Sequence, residues 1–417
     1  MQVLSLVVYN LSVRLYGMAI WLASPFNKKA AHWVQGRKAQ AARLAQLKGD
    51  SAKRIWVHCA SLGEFEQARP VIEKLQNIYP GYKIVLTFFS PSGYEVRKSY
   101  KEVEAVLYLP LDTRSQAKAF IDAIQPQLAL FVKYEFWYNY LDVLNEKNIP
   151  IVLFSAVFRS EQVFFKWYGG LFRKMLKAFT KIFVQDENSM ALLQSIGIGA
   201  TVANDTRFDR VFEIAANRKE FELIGKFKGG SKLLVAGSTW KTDESLLVKL
   251  INEKQLEGYK YLIAPHNLNA ERLNVLKGEV NAKALFYSEL SEANTEGVEV
   301  VIIDNIGMLA ALYAYADVAY IGGAFNASVH NVLEAAVYGL PLFFGPNYLK
   351  SNEAKDLLER KAAFSISGYA AFAQQIRALL GNLAATEQAK AAAKLYVQQN
   401  LGGTNAILKY LENIKLA

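Results

Sequence analysis

Residues that can bind phosphate and hydroxyl groups gather in one stretch, residues 317–334. The apolar run Val318–Ile321 predicts a buried strand, which the pair Gly322-Gly323 ends. Neither glycine has a Cβ, so a ligand can approach the backbone closely there. An ordinary strand-to-helix turn is the alternative interpretation of the glycine pair alone, and the polar residues that follow argue against it.

After the glycines, a helix is expected to begin near Ser328 and to carry Asn331 and Glu334 on one face. Amide groups at the start of a helix favour an anion such as a phosphate. A carboxylate on the first turns can accept hydrogen bonds from two ribose hydroxyl groups. His330, just before them, can contact a base or a phosphate.

Two further strand ends in the second half of the chain carry residues of the same kind. Ser238 and Thr239 follow one predicted strand, and Pro265-His266 follows the next. Small hydroxyl groups at a strand end suit a phosphate, and His266 can contact a base or a phosphate. Each residue alone is typical of a turn, so their repetition at successive strand ends is what predicts a binding site.

The first half of the chain carries carboxylates at two strand ends. Glu64 follows Ser61-Leu-Gly63 and opens a helix, and Glu135 follows the strand that ends near Val132. Two carboxylates that face a cleft suit general-base catalysis and the orientation of the base. For Glu64 the alternative is a first-turn acid that stabilises the helix dipole.

Arg159 and Arg207 end two further elements and are candidates for holding a carboxylate or phosphate in a fork geometry. The sequence contains no P-loop, HExxH or GxSxG motif and no paired acidic metal-binding loop. It therefore lacks the motifs that P-loop kinases and common hydrolases require. The four histidines have no metal-ligand spacing, so we expect no metal and no cofactor.

Strands alternate with helical patterns along the chain, which predicts an α/β protein with two doubly wound parallel sheets. The charged segment 211–230 resembles a linker between the two domains. The predicted domains are therefore residues 25–210 and 231–417, with ligands at the carboxyl ends of both sheets and a cleft between them.

The N-terminal residues 1–24 form an apolar segment close to the roughly 20 residues that span a bilayer. Arg14 interrupts it, and a basic tract follows. A spanning or interfacial anchor and a helix packed on the protein itself both stay open. If the segment is only an anchor, its deletion should leave a folded, soluble remainder.

The composition narrows the class of partner and the compartment. The net charge of +10 indicates an acidic partner, and the lack of long basic runs with interleaved aromatics disfavours nucleic acid. The single cysteine, Cys59, excludes an intramolecular disulfide and fits a reducing compartment.

The motifs together resemble the Kdo transferases, which transfer 3-deoxy-D-manno-octulosonic acid and have the GT-B architecture. The resemblance covers nearly the whole chain, with the motifs in family order. The matching segments are Trp56–Glu64, Lys133–Trp137, Phe154–Ser160, Asp205–Arg210, Ala236–Thr239, Ala264–His266 and Tyr320–Gly323 through His330–Glu334.

The resemblance implies an inverting, metal-independent transferase at the cytoplasmic face of the inner membrane, with CMP-Kdo as donor and a lipid A precursor (lipid IVA) as acceptor. It implies that Glu64 is the catalytic base and that Glu135 is the second catalytic carboxylate. The residues that would bind CMP-Kdo are Ser238, Thr239, His266, Gly322, Gly323, His330, Asn331 and Glu334.

The chain departs from the family pattern at two places. Pro265 stands where the family often has an arginine before His266, and the loop before His330 lacks the usual Gly-Gly. Two alternatives are another GT-B enzyme that uses a UDP-sugar, such as a lipid-A-disaccharide synthase or an NDP-sugar epimerase, and an inactive membrane-tethered nucleotide-sugar binder.

Overall fold

The computed structural model describes residues 2–416, which form two compact units. The first unit holds the residues up to Asp209 together with those from Leu401 onward, and the second holds Arg210–Asn400. Each unit contains a seven-stranded sheet whose neighbouring strands are parallel. The predicted α/β class with two parallel sheets is confirmed.

The first sheet consists mainly of short apolar runs that are buried on both faces, as expected for a parallel sheet covered by helices. Its order is β3-β2-β1-β4-β5-β6-β7. The strands are β1 (Arg54–Cys59), β2 (Lys83–Phe88), β3 (Ala105–Tyr108), β4 (Pro126–Val132), β5 (Ile151–Ala156), β6 (Lys181–Val184) and β7 (Thr201–Val202).

The helices that accompany this sheet are α1 (Gln2–Ala23), α2 (Lys28–Ala39), α3 (Ala41–Lys48), α4 (Leu62–Ile78), α5 (Pro91–Arg97), α6 (Arg114–Ile124), α7 (Tyr138–Glu146), α8 (Gly170–Lys177) and α9 (Glu187–Ser195), with a 3₁₀ turn at Val163–Phe165. Helix α10 (Thr206–Ala216) contains the boundary between the units.

The second sheet has the order β10-β11-β9-β8-β12-β13-β14. Its strands are β8 (Lys232–Thr239), β9 (Tyr259–Pro265), β10 (Ala284–Phe286), β11 (Val300–Ile302), β12 (Val318–Ile321), β13 (Leu342–Phe344) and β14 (Ala363–Ser365). Its helices are α11 (Glu222–Lys228), α12 (Lys241–Asn252), α13 (Ala270–Glu279), α14 (Leu309–Leu312), α15 (Leu333–Ala336), α16 (Asn352–Glu359), α17 (Tyr369–Leu380) and α18 (Leu383–Gln399), with 3₁₀ turns at Tyr287–Glu289, Glu292–Asn294 and Tyr313–Tyr315.

The strand order reverses between β1 and β4 in the first sheet and between β8 and β12 in the second. In open α/β sheets, ligands bind outside the carboxyl ends of the strands at such a reversal. Glu64 and Glu135 follow β1 and β4, whereas Gly322 follows β12. The candidate residues thus lie at the topological switch point of their own sheet.

The C-terminal segment does not stay with the second unit, as the predicted domain 231–417 required. Helix α19 (Gly403–Leu411) packs against α4, and its apolar residues Ile407 and Leu411 are buried in the core of the first unit. The segment 211–230 also differs from a plain linker, because α11 buries Ile224 and Phe227. Residue 417 lies outside the described residues.

Helix α1 is the one segment among the described residues that is long and apolar enough to cross a membrane. One stripe of it packs on the first unit: Tyr9 donates a 2.5 Å hydrogen bond to the buried Asp112, and Asn10 accepts one from Asn139 at 3.0 Å. The alternative of a helix packed on the protein itself therefore holds for this stripe, and the role of the segment as a membrane anchor stays a prediction. Met1 lies outside the described residues.

Candidate active site

Glu135 lies at the carboxyl end of β4 in a buried polar network. Its carboxylate is 6% exposed, and Oε2 accepts a hydrogen bond from Trp137 Nε1 at 2.6 Å. His58 Nε2 lies 2.7 Å from the same oxygen. A buried carboxylate is costly unless it is hydrogen-bonded, and these two rings supply that compensation.

The hydrogen bonds behind His58 indicate which ring nitrogen carries the proton. Trp56 Nε1 can only donate, and it lies 2.8 Å from Thr87 Oγ1. The Thr87 hydroxyl then donates to His58 Nδ1 at 2.8 Å in preference to the backbone oxygen of Val57 at 3.5 Å. Nε2 therefore holds the proton that faces Glu135.

Glu64 occupies the first turn of α4 and is only partly buried. Its Oε2 accepts a hydrogen bond from the hydroxyl of Ser61, which precedes the helix and makes no side-chain cap of its own. No cation forms a salt bridge with Glu64 in the part of the chain that the structure describes. This carboxylate is more accessible than Glu135 and is held by a neutral donor.

The negative charges of the two glutamates affect the pKa of the same buried thiol, Cys59. Burial, followed by the negative charges of Glu64 and Glu135, raises the pKa of Cys59 at the end of β1. Because β1 and β4 are neighbours in the sheet, the residues that follow them lie at one region of its carboxyl edge. Cys59 itself is fully buried, as expected for a small apolar residue and not for a nucleophile.

Three residues at strand ends have a left-handed backbone without being glycine. They are Lys133 after β4 (φ 67°), Ser155 in β5 (φ 54°) and Ser238 in β8 (φ 54°). Such conformations cost about 1–3 kcal/mol and cluster at functional sites. All three lie at the carboxyl edges of the sheets, beside candidate site residues, whereas Gln125, Asn148, Lys254 and Lys361 have the same backbone before the amino ends of strands.

The two arginines predicted to contact an anion differ in availability. Arg207 is already engaged, because its Nε and Nη2 donate to Asp205 Oδ2 at 3.0 and 2.7 Å. Arg159 is exposed, and no carboxylate forms a salt bridge with it among the described residues. The structure therefore leaves only Arg159 open for an anion.

In the second unit, three rings stack at the ends of β8, β9 and β12. His266 lies between Trp240 and His330, with ring centroids 4.7 and 4.6 Å away and both interplanar angles at 23°. Trp240 Nε1 donates to His330 Nε2 at 3.0 Å. Burial, and next the neighbouring His266, lowers the pKa of His330 and favours its neutral, accepting form.

A buried carboxylate, Asp243, fixes the turns beneath these rings. It accepts hydrogen bonds from the amides of Trp240 at 2.9 Å and Gly323 at 3.0 Å, and from the hydroxyl of Tyr320 at 2.8 Å. All three donors are neutral. Because Tyr320 and Gly323 lie in or just after β12 and Trp240 lies just before α12, the carboxylate connects β12 to the start of α12. Asp243 thereby holds two strand ends in one arrangement.

The glycine pair is required by this close packing. A Cβ at Gly322 would lie 2.3 Å from the carbonyl oxygen of Ser238, and a Cβ at Gly323 would lie 2.6 Å from the ring of His330. Gly323 also has φ 93°, in the left-handed region. The glycines therefore let two strand ends and a ring meet, in addition to any approach by a ligand.

Thr239 and Ser238 have different surroundings. Thr239 is fully buried, and its hydroxyl donates to Glu244 at 3.0 Å, whose two oxygens each accept from Arg272 at 2.7 Å. Ser238 is only partly buried and lines a cavity of about 580 Å³ with His266. Of the two hydroxyl groups, Ser238 is the one that faces an open space.

The segment around Asn331 and Glu334 differs from the expected long helix. The helix α15 begins at Leu333 and has four residues, so Ser328 belongs to the preceding loop. Asn331 Nδ2 donates to Glu334 Oε1 at 3.0 Å. Burial, and next the charge of Glu334, raises the pKa of Tyr313, whose hydroxyl abuts Gly237 at the end of β8.

Several residues of these edges were not predicted from the sequence. Asp243 and Trp240 look like ordinary first-turn residues of α12, and Thr87 looks like a strand residue. Their roles depend on neighbours between 29 and 90 positions away, which local patterns do not reveal. Among residues 2–416, no group of three or more histidine, cysteine or acidic side chains comes together to hold a metal ion.

Sequence comparison connects this geometry to a known family. Residues 32–210 match the family described as 3-deoxy-D-manno-octulosonic-acid transferase (kdotransferase). A protein of that name from Aquifex aeolicus is 28% identical over 74% of this chain and 80% of its own length. One from Haemophilus influenzae is 26% identical over 86% of both chains.

The matched domain and these relatives together support a Kdo transferase. The chain is therefore a glycosyltransferase, and Kdo transfer is the reaction class that the relatives support. A bifunctional glycosyltransferase/methyltransferase from Fusobacterium nucleatum is 28% identical over 89% of the chain, which spans about three fifths (59%) of that relative's length.

Solved structures show the fold of the chain. A UDP-GlcNAc 2-epimerase from Neisseria meningitidis matches with a TM-score of 0.59 at 14% identity, over 86% of this chain and 99% of that one. MurG from Acinetobacter baumannii matches with a TM-score of 0.56 at 12% identity, over 87% and 100%. The chain thus has the GT-B fold, with an apolar helix at its N-terminus.

Proposed function

We propose that the protein transfers Kdo from CMP-Kdo to a lipid A precursor, lipid IVA, by a metal-independent inverting reaction. The observation that carries this proposal is Glu64, a partly exposed carboxylate at the switch point of the first sheet. It has a neutral hydrogen-bond donor, Ser61, and no cationic partner among the described residues. A general base needs such access to the proton that it removes.

The reaction follows from the chemistry of the donor. Glu64 takes the proton from a hydroxyl group of the acceptor, and the oxygen attacks the anomeric carbon of Kdo. CMP leaves from the opposite face, which inverts the configuration. The carboxylate of Kdo offsets the positive charge that develops on the sugar.

Glu135 has a different task in this proposal. His58 and Trp137 both bind its Oε2, and it is nearly inaccessible to solvent. We therefore assign to it the electrostatic and positional support of the sheet edge, while Glu64 exchanges the proton. The network through Thr87 keeps the proton of His58 directed at Glu135.

The leaving nucleotide is assigned to the edge of the second sheet. Ser238, His266 and His330 offer polar groups to CMP, and Glu334 offers an acceptor for ribose hydroxyl groups. Preorganised donors of this kind each contribute roughly 2.7–4 kcal/mol to transition-state stabilisation. Gly322, Gly323 and Thr239 maintain the turn, and Asn331 orients Glu334.

Membrane association is part of the proposal. The outer face of α1 exposes large apolar side chains, among them Val7, Leu11 and Trp21. Lys28 and Lys29 follow directly, and each basic residue close to an anionic membrane surface contributes about 1 kcal/mol. Since the inner stripe of α1 is docked on the first unit, we place the helix in the interface at the cytoplasmic face of the inner membrane.

Incubation with CMP-Kdo and tetraacylated lipid A precursor, followed by mass analysis of the lipid, tests the function. The expected product is heavier by Kdo, and EDTA should leave its formation unchanged. A lipid that gains no Kdo from CMP-Kdo, while a UDP-sugar is consumed, would instead identify one of the other GT-B reactions.

A further inference from the structure

A groove of about 410 Å³ lies between α1, α2 and the carboxyl end of β2. Tyr16 and Ile20 of α1, Trp33 of α2 and Phe89 line it, and the rings of Tyr16 and Phe89 stack with centroids 6.0 Å apart. Ligand pockets usually occupy about 300–1,000 Å³, so the groove is large enough for part of a ligand. Nothing in the proposed transfer chemistry uses it.

The groove is apolar because of small residues along both helices. Ala19 and Ala23 lie on the same side of α1, and Ala30 faces them from α2. These methyl groups leave an open space next to larger apolar side chains. A narrow apolar slot fits a flexible hydrocarbon chain better than it fits a sugar or a nucleotide, which require many polar partners.

The floor of the groove is held rigidly. Arg37 donates to the carbonyl oxygens of Leu109 and Phe89, both at 2.9 Å, and its guanidinium lies 3.6 Å from the ring centroid of Trp33. These contacts engage the Arg37 guanidinium within the protein. The positions of Trp33 and Phe89 are therefore fixed before any ligand enters.

The floor also connects the groove to the carboxylate network of the sheet edge. The ring of Phe89 stacks on Trp137 with centroids 4.7 Å apart, and Trp137 donates to Glu135. Phe89 directly follows β2, which neighbours β1 in the sheet. A chain seated in the groove would thus end close to the edge that carries Glu64.

The rim is polar and positively charged. Asn27, Lys29 and Ser90 line it, and no carboxylate forms a salt bridge with Lys29 within residues 2–416. An exposed ammonium beside an apolar slot matches a ligand with an anionic head and a hydrocarbon tail. The roof of the slot, α1, exposes its other face as the membrane-facing surface proposed above, so a lipid can pass from one to the other.

We propose that this groove binds one acyl chain of the phosphorylated lipid acceptor, with Lys29 near an acidic head group. The proposal rests on the proposed function for the identity of the acceptor. Its physical content is separate: the groove recognises a hydrocarbon chain with an anionic end. Seating the chain there limits the sugar end of the lipid to positions near the edge of the first sheet.

The test uses the full-length protein and myristic acid that carries a terminal diazirine. After irradiation, peptide mapping should find the adduct on residues 16–33 and 89–91, and the tetraacylated acceptor should compete with the label. Ala30→Trp fills the groove and should reduce labelling to background. Ala39→Trp, at an exposed position of the same helix outside the groove, is the matched control and should label normally.

Kinetics then separate the acceptor from other lipids. Ala30→Trp should raise KM for the acylated acceptor, leave KM for CMP-Kdo unchanged and leave a deacylated acceptor unaffected. Ala23→Phe, at the end of α1, repeats the test if the tryptophan variant loses its cooperative melting transition.

Each opposing result has a definite meaning. Labelling that persists in a folded Ala30→Trp or Ala23→Phe variant overturns the groove assignment. Competition by phosphatidylglycerol vesicles but not by the acceptor overturns the assignment to the acceptor. If wild type transfers no Kdo while labelling still depends on Ala30, the proposed function fails and the acyl groove stands.

Discussion

The carboxyl edges of the two sheets share a topology and differ in how they use acidic residues. In the first unit, Glu135 is satisfied by rings and Glu64 stays partly exposed beside it. In the second, Asp243 and Glu244 are buried and fully engaged with amides, a hydroxyl or Arg272, while rings line the open space. The first edge presents the carboxylate of Glu64, and the second presents mainly neutral side chains, with Glu334 as the one acidic group proposed to contact a ligand.

In the proposed function, the contrast corresponds to the two halves of a glycosyl transfer. The acceptor half requires a group that removes a proton, which an accessible carboxylate can do. The donor half loses an anionic leaving group, which an exposed carboxylate would repel and which neutral or positive donors stabilise. A single fold can therefore supply both halves if the acidic residues are exposed on one sheet and used as internal supports on the other.

Glu64→Gln provides the strongest test of this contrast. The amide keeps the size of the side chain but cannot take the proton, so kcat should fall by about 10²–10⁴-fold. CMP affinity, measured by calorimetry, should be unchanged because the nucleotide is assigned to the second unit.

Glu66→Gln is the matched control for that experiment. Glu66 lies two residues after Glu64 in the same helix and forms salt bridges with Arg97 and Arg69. Its loss should leave turnover near that of wild type. Turnover of Glu64→Gln equal to that of Glu66→Gln would remove Glu64 from the role of base.

Glu334→Ala examines the one acidic side chain that the donor edge is proposed to offer to the ligand. Loss of hydrogen bonds to ribose should weaken CMP binding by roughly 1.5–3 kcal/mol while kcat changes less. Glu359→Ala, at an exposed position of α16, serves as the control. Unchanged CMP affinity in titration calorimetry of Glu334→Ala would restrict Glu334 to its contact with Asn331.

Gly322→Ala tests whether the donor edge depends on backbone contact. The added methyl group would meet the carbonyl oxygen of Ser238 at 2.3 Å, so we expect a loss of about 1–3 kcal/mol in the free energy of unfolding. CMP binding should weaken with it. Gly230→Ala has open space around its Cβ and should change neither quantity in denaturant titration and calorimetry.

The sequence predicted those features that depend on local patterns. Alternating strands and helices gave the two parallel sheets, and residues such as Glu64 and Gly322 were placed at strand ends because a turn follows each apolar run. The resemblance to Kdo transferases supplied the family. What these patterns have in common is that they involve neighbours within a few positions.

Features that depend on distant partners were missed or assigned differently. Asp243 bonds with Gly323, 80 positions away, and α19 returns to α4 after the whole second unit. The apolar run of α1 gave no sign that Tyr9 would bond to Asp112, 103 positions later. Burial and hydrogen bonding at these places are decided by the assembled fold, so no local period reports them.

The smallest expected effect concerns His330, the acceptor in the ring stack. Its lowered pKa means that the unfolded chain binds a proton more readily than the folded one at pH values below about 6.5. Stability from this residue is therefore complete above that pH and is lost as the pH falls towards the folded pKa, because protonated Nε2 can no longer accept from Trp240. Glutamine keeps an acceptor but does not titrate, so His330→Gln should show a shallower fall of Tm below pH 6.5 than wild type. Equal slopes of Tm against pH for the two proteins would contradict this prediction. They would show that the stability of the donor edge does not depend on the charge of the His330 ring.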